Sequence, residues 1–341
     1  MLTADLTQHH AQLLLHSDYR TAPITMPEAP SAIMPTYGRL PVTFSRGEGA
    51  ILYDTDNRPY LDGVSGIAVT NLGHQHPQVT AAVIEQAQKL VHTSNLFRID
   101  LQESVAEQLR AMTGMENMFF CNSGAEANEA AIKLARRFGH QKGIETPHML
   151  VLDGAFHGRT VGALSATGNQ KIRQGFGPLL EGFVHVPPND LSAIDALADS
   201  RNDIAAVMVE PIMGEGGIRP LQTDYLQGLR ARCVQQDWLL IFDEVYTGFR
   251  VAPRGAQQAY DVQADMVVYG KTLGGGLPVV RVGVRRLAAR ARDRGRERRA
   301  QLPHDHAAPS VGHRGPRGGR GRAGGGGGRE WHGGGGGGPG R

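Results

Sequence analysis

Between residues 118 and 269 short unbroken apolar runs alternate with amphipathic stretches, and this pattern constrains the fold more than any other feature. The runs are 118–120, 149–152, 205–209, 239–242 and 266–269, rich in Val, Leu, Ile, Met and Phe. Residues 126–138 and 225–236 have helical period, as do 77–91 and 101–112 nearer the N-terminus. A strand that is apolar on both faces has to be covered on both faces, and strands separated by helices run parallel. The expected fold class is therefore α/β, a mostly parallel sheet with helices on both faces. Ahead of it, residues 40–44 and 50–54, with Asp56 and Asn57 as a turn, read as β structure. In sheets of this kind ligands sit beyond the carboxyl ends of the strands, and every chemically notable residue of this chain follows a strand.

Lys271 ends the run 266–269 and stands among glycines, in Gly270-Lys271-Thr272-Leu273-Gly274-Gly275-Gly276. The run 239–242 ends in Asp243-Glu244. A strand-end lysine with a strand-end aspartate is what pyridoxal 5'-phosphate requires: an amine for a Schiff base, and a carboxylate that keeps the pyridine nitrogen protonated. Taken alone, the pair also fits two ordinary strand exits with polar tips. In Cys121-Asn122-Ser123-Gly124-Ala125-Glu126 a strand gives way to a helix through small residues, a seat for an anion such as the cofactor phosphate. Ser123 with Glu126 three residues on is equally a capping box, and both uses draw on the same unbonded N–H groups. Phe156-His157-Gly158-Arg159 follows another strand and offers an aromatic face and a guanidinium for a carboxylate. Glu210 follows a third; either it gates substrate charge against Arg159 or it is a loop acid.

Charge divides the chain near residue 280. Residues 281–341 hold fifteen arginines, no lysine and four acidic residues, a formal +11, which leaves −8 for the rest of a chain whose total is +3. A mildly acidic body suits a soluble enzyme of small molecules. The tail holds 19 of the 46 glycines, in runs such as 324–328 and 333–338, and is expected to be disordered, with only non-specific attraction for nucleic acid. Two cysteines, Cys121 and Cys233, provide neither a disulfide framework nor a metal site, and no apolar run approaches membrane length.

The motifs together carry a resemblance. Met34-Pro35-Thr36-Tyr37-Gly38-Arg39, Ser65-Gly66-Ile67-Ala68-Val69, Leu72-Gly73-His74-Gln75-His76-Pro77, residues 92–96, 122–129, 156–160, 164–169 and 210–217, and Asp243-Glu244-Val245 occur in the order found in class III, fold type I, pyridoxal-phosphate aminotransferases. Within these the chain from 34 to 279 most resembles the acetylornithine and succinylornithine aminotransferases. The resemblance implies a cytoplasmic, homodimeric enzyme of arginine biosynthesis that moves an amino group from an ornithine-like donor to 2-oxoglutarate. It implies that Lys271 forms the Schiff base and shuttles the proton, and that Asp243 pairs with the pyridine nitrogen. Ser123, Gly124 and Ala125 would bind phosphate, Phe156 and Val245 would flank the ring, and Glu244 and Tyr246 would lie against the cofactor. Arg159 would hold the substrate carboxylate, and Glu210 would act on the substrate side. No metal is implied.

Two departures qualify the resemblance. Tyr246 stands where ornithine-type enzymes carry Gln, and residues 243–251 look more like glutamate-1-semialdehyde aminomutases or the aminotransferase modules of assembly-line synthases. After Val279 the resemblance ends, and Gly, Arg, Ala and Pro take over, as a shifted reading frame would produce. The expected organisation is a polar leader at 1–33, an N-terminal segment at 34–95, an incomplete cofactor-binding large domain at 96–279 and the tail at 280–341. A non-enzymatic alternative makes the Arg/Gly tail an RNA-binding element on a relic body.

Overall fold

The computed structural model describes residues 32–285. Near its start an antiparallel sheet joins β1 (Phe44–Glu48), β2 (Ile51–Asp54) and β3 (Pro59–Leu61). Asp54 shapes the turn between the last two. Its carboxylate accepts from the N–H groups of Asp56 and Arg58, both at 2.9 Å, and side-chain closure of this kind is why Asp recurs in turns. The strand expected at 40–44 begins only at Phe44, because Pro41 has no N–H for a ladder and Leu40 lies exposed.

The main sheet contains β4 (Asn117–Cys121), β5 (His148–Leu152), β6 (Phe183–Val186) and β7 (Ile204–Val209). After a short separate ladder of β8 (Ile212–Met213) with β9 (Arg219–Pro220), it is completed by β10 (Leu239–Glu244), β11 (Met266–Tyr269) and β12 (Val280–Val284). The order is β4-β12-β11-β10-β7-β5-β6. Neighbours among β6, β5, β7, β10 and β11 run parallel, and β12 is antiparallel to both β11 and β4. All six residues of β7 and all four of β11 are buried, as uninterrupted apolar runs require. The longer helices are α1 (Pro77–Lys89), α2 (Asp100–Thr113), α3 (Gly124–Gln141), α4 (Leu191–Ser200) and α5 (Thr223–Gln235). The buried face of α3 is largely alanine (Ala127, Ala130, Ala131, Ala135), which lets its axis come close to the sheet.

Two strands of the main sheet were not expected from the sequence. Phe183–Val186 is a four-residue edge strand cut off by two prolines, and Val280–Val284 has its apolar pattern broken by Arg281 and Gly283. The second corrects the boundary at 279/280, because residues 280–284 belong to the sheet. β12 pairs with β11 from Met266 to Tyr269. The expected leader and the rest of the expected tail lie outside the described residues. Among the described residues no helix is long and apolar enough to cross a membrane.

Candidate active site

The carboxyl ends of β4, β5, β7, β10 and β11 open into one cavity of about 700 Å3. Ser123, Gly124, Ala125, Phe156, Arg159, Glu210, Asp243, Val245, Tyr246 and Lys271 all line it. The structure thus brings together all but one of the residues singled out from the sequence.

The exception is Glu244. Successive residues of a strand face opposite sides of the sheet, so Asp243 faces the cavity and Glu244 faces away from it. Glu244 is fully buried, accepts from Thr247 Oγ1 at 3.1 Å and from the N–H groups of Ala256 at 2.5 Å and Gln257 at 3.4 Å, and burial pushes its carboxyl up to about 7. It anchors the loop after β10 and is not a cofactor contact.

Asp243 is 4 % exposed and held from several sides. Its Oδ2 accepts from Asn128 Nδ2 at 2.8 Å and lies 2.8 Å from His157 Nδ1, which must carry the hydrogen because a carboxylate only accepts. Its Oδ1 accepts from the Val245 N–H at 3.1 Å. Burial works against a charged His157, but the hydrogen bond and charge of Asp243 outweigh it and hold the imidazole above its ordinary pKa. Sequence reasoning missed both partners of Asp243. Asn128 lies one helical turn beyond Gly124, so α3 brings the two onto one face, and that spacing was the available signal.

At the mouth of α3 the capping box forms. Ser123 Oγ accepts from the Glu126 N–H at 3.2 Å, and the Glu126 carboxylate accepts in return from the Asn122 N–H at 2.7 Å. Space is tight at Gly124, where a Cβ would come within 3.1 Å of both Val245 methyls. Gly158, at φ +137°, lies so close to Ala125 that a Cβ would meet its methyl at 2.8 Å. These two close approaches leave a cradle in front of the first N–H groups of an 18-residue helix, where the dipole favours an anion.

Lys271 sits at the other side of the cavity with its amine 5.0 Å from the centre of the Tyr246 ring, and it donates to the Ile67 carbonyl at 3.3 Å. Burial lowers its pKa, with Glu215, Asp243 and Glu210 pulling the other way and Arg250 assisting. Glu210 is buried, accepts from the N–H groups of Phe156 at 2.7 Å and Gly214 at 3.1 Å, and is raised above the usual carboxylate range by that burial. Arg159 is exposed at the rim, 5.9 Å from the Phe156 ring centre. Amine, fixed carboxylate, anion cradle and an aromatic in one cleft are the set that pyridoxal phosphate needs, and the residues present fit it.

The comparisons with known proteins agree with the geometry. The sequence pattern of the aminotransferase class-III family matches residues 32–297, which carries the likeness past Val279. The acetylornithine aminotransferase of Nitrosomonas europaea is 50 % identical over 250 residues, covering 73 % of this chain and 64 % of that protein. Acetylornithine aminotransferase 1 of Bordetella pertussis is 46 % identical with the same coverage. Among solved structures, the ornithine aminotransferase of Toxoplasma gondii superimposes with a TM-score of 0.71 at 31 % identity, covering 74 % of this chain and 61 % of that one. The N-acetylornithine aminotransferase of Stenotrophomonas maltophilia gives 0.64 at 36 %, covering 73 % and 63 %. The chain thus spans about 64 % of the length of the curated relatives it matches. Aminotransferases of this class depend on pyridoxal phosphate. With the fold, the cleft and the sequence pattern in agreement, this chain belongs to the class-III aminotransferases.

Proposed function

We propose that the chain is the cofactor-binding part of an acetylornithine-type aminotransferase, which takes the amino group of an N-acetylornithine-like donor and passes it to 2-oxoglutarate. The observation that carries the reading is the placement of Lys271 and Asp243 at the ends of adjacent parallel strands, in one cleft with the mouth of α3. When bound, pyridoxal phosphate supplies an electron sink for charge that develops on the donor carbon. The residues do the rest. The α3 N–H groups at Gly124 and Ala125 would hold the phosphate, and Phe156 and Val245 would flank the ring. Asn128 and His157 donate to Asp243 Oδ2 and so fix the carboxylate that would pair with the ring nitrogen. Lys271 Nζ would be the amine that holds the cofactor. Burial lowers its pKa, which suits it to take and return a proton of the donor carbon. Arg159 holds the donor carboxylate as a charged pair. Glu210 lies on the substrate side of the cleft.

The aminomutase reading suggested by Tyr246 and the RNA-binding reading of the tail find no support among the relatives named above. We also propose a second copy of the chain as partner. No residue of α1 is buried, and Val91, Leu96 and Phe97 are 85, 88 and 66 % exposed, an apolar surface a lone subunit would leave in water. Light scattering should give twice the mass of one chain. A cytoplasmic site of action accompanies this reading. The main test is spectral: pyridoxal phosphate added to the protein should produce the new visible absorbance band of a protonated imine, and Lys271→Ala should abolish it. A band that persists in Lys271→Ala would refute the assignment.

A further inference from the structure

Two stretches of backbone around Lys271 adopt the left-handed conformation that side chains other than glycine avoid. Lys271 itself has φ +44°. Opposite it, Ser65, Gly66, Ile67 and Ala68 have φ of +54°, +63°, +63° and +59°, four in succession and one of them β-branched. Such conformations persist only where surrounding contacts over-determine them. The two stretches meet where Lys271 Nζ donates to the Ile67 carbonyl.

One side chain ties them together. Arg250, in the turn after β10, donates from Nη2 to the Ala68 carbonyl at 2.6 Å, to Asn71 Oδ1 at 2.7 Å and to Thr272 Oγ1 at 3.0 Å, and from Nε to the Tyr246 carbonyl at 3.1 Å. Nη2 has two hydrogens for three oxygens, so one of them is shared. Ala68 follows Ile67 and Thr272 follows Lys271, so the guanidinium grips the residue next to each partner of the amine–carbonyl contact. The Nε bond to the Tyr246 carbonyl holds the guanidinium plane, so this fork fixes where Nη2 points, which an ammonium on a flexible stem does not do.

We propose that Arg250 is a positioning residue for Lys271: it clamps the strained 65–68 turn over the lysine, so that the Ile67 carbonyl receives the amine whenever it is not bonded to the cofactor. This rests on the cofactor-binding reading given above. The positive charge of Arg250 also faces Lys271, together with Glu210 and Glu215 from the loop after β7, Asp243 from β10 and the Tyr246 ring. Arg250 disfavours a second cation there, and the three carboxylates favour one.

The test uses the full 341-residue chain without cofactor and follows two quantities. The first is the rate at which pyridoxal phosphate becomes attached to Lys271 as a function of pH. The second is hydrogen exchange in residues 65–71. Arg250→Met should slow attachment about tenfold, as expected for loss of a charged hydrogen bond, and speed exchange in 65–71. It should also move the pH midpoint up, because a neighbouring cation has gone. Arg250→Lys should restore the midpoint but leave exchange fast, since it returns the charge without the fork. A role confined to general stability would lower the melting temperature and leave the midpoint where it was. If Arg250→Met leaves rate, midpoint and exchange at parent values, the proposal is overturned. If that variant does not fold, Asn71→Ala and Thr272→Val carry the test, each removing one acceptor. Partial slowing in both supports the clamp, and parent rates in both overturn it. Attachment that survives Lys271→Ala would instead defeat the cofactor reading.

Discussion

Replacing Arg281 by methionine should make the fold more stable. Arg281 is the second residue of β12, opposite Phe120 on one side and Tyr269 on the other, and it is completely buried. Its Nε and Nη2 have no hydrogen-bond partner, its Nη1 rests against the Met118 sulfur, and among the described residues it makes no salt bridge. What stabilises the charge is aromatic: the guanidinium carbon is 4.4 Å from the Tyr269 ring centre and 5.8 Å from that of Phe249. Burial brings its pKa down to about 10. At 1.36 kcal/mol for each unit below an arginine's usual value, that is a cost of about 3 kcal/mol. The sign follows from the direction: a depressed cation is unfavourable wherever it is charged in both states, so the whole cost is present at every pH below about 10. The two rings return up to roughly 2 kcal/mol. Arg281→Met keeps an unbranched stem of similar bulk and removes the charge, for a net gain of about 1–3 kcal/mol. Urea unfolding at pH 7 would read this directly, and a melt should rise by roughly 2–4 °C for each kcal/mol in a domain of this size. Arg281→Lys, which keeps a charge and loses the planar stacking, should gain nothing. A methionine variant no more stable than the parent would show that the guanidinium is satisfied in a way these distances do not reveal.

Other outcomes follow from the site. Asn128→Ala and His157→Ala each remove a donor to Asp243 Oδ2 and should weaken pyridoxal-phosphate binding by roughly 1.5–3 kcal/mol, read by fluorescence titration; unchanged affinity in both would mean Asp243 needs no support. Arg159→Ala should weaken binding of an N-acetylornithine-like donor by a similar roughly 1.5–3 kcal/mol in calorimetry, with cofactor affinity unaltered. Gly158→Ala should destabilise by about 1–3 kcal/mol, because it combines a disfavoured φ with a Cβ driven into Ala125, and chemical unfolding would measure it.

The parts of the site that could be read from the sequence were those carried by local signals. Ser123 with Glu126 forecast the cap at α3, and the apolar runs forecast the strand ends that bear Asp243, Glu210 and Lys271. Partners far apart in the chain could not be read this way. Asn128 and His157 reach Asp243 across 115 and 86 residues, a distance over which no periodicity operates. Glu244 was assigned to the cofactor by adjacency to Asp243, whereas the two-residue period of a strand turns it to the opposite face. Strand β12 went unnoticed because Arg281 interrupts its apolar pattern, and that same residue is the one poorly matched to its surroundings.

The strand order also sets a timetable. Among the described residues β4, which leads into the anion cradle, pairs with no strand except β12. The contact between Met118 and Arg281 spans 163 residues of chain. At synthesis rates of about 5–20 residues per second, the ladder edge that β4 offers to β12 waits roughly 8–30 s on the ribosome before that strand is made. Closing so large a loop is slow as well as late, since distant pairings have to meet before any contact rewards them. The edge that completes the cradle is therefore the last part of the sheet to assemble, and during that interval it is the part most open to capture by another chain.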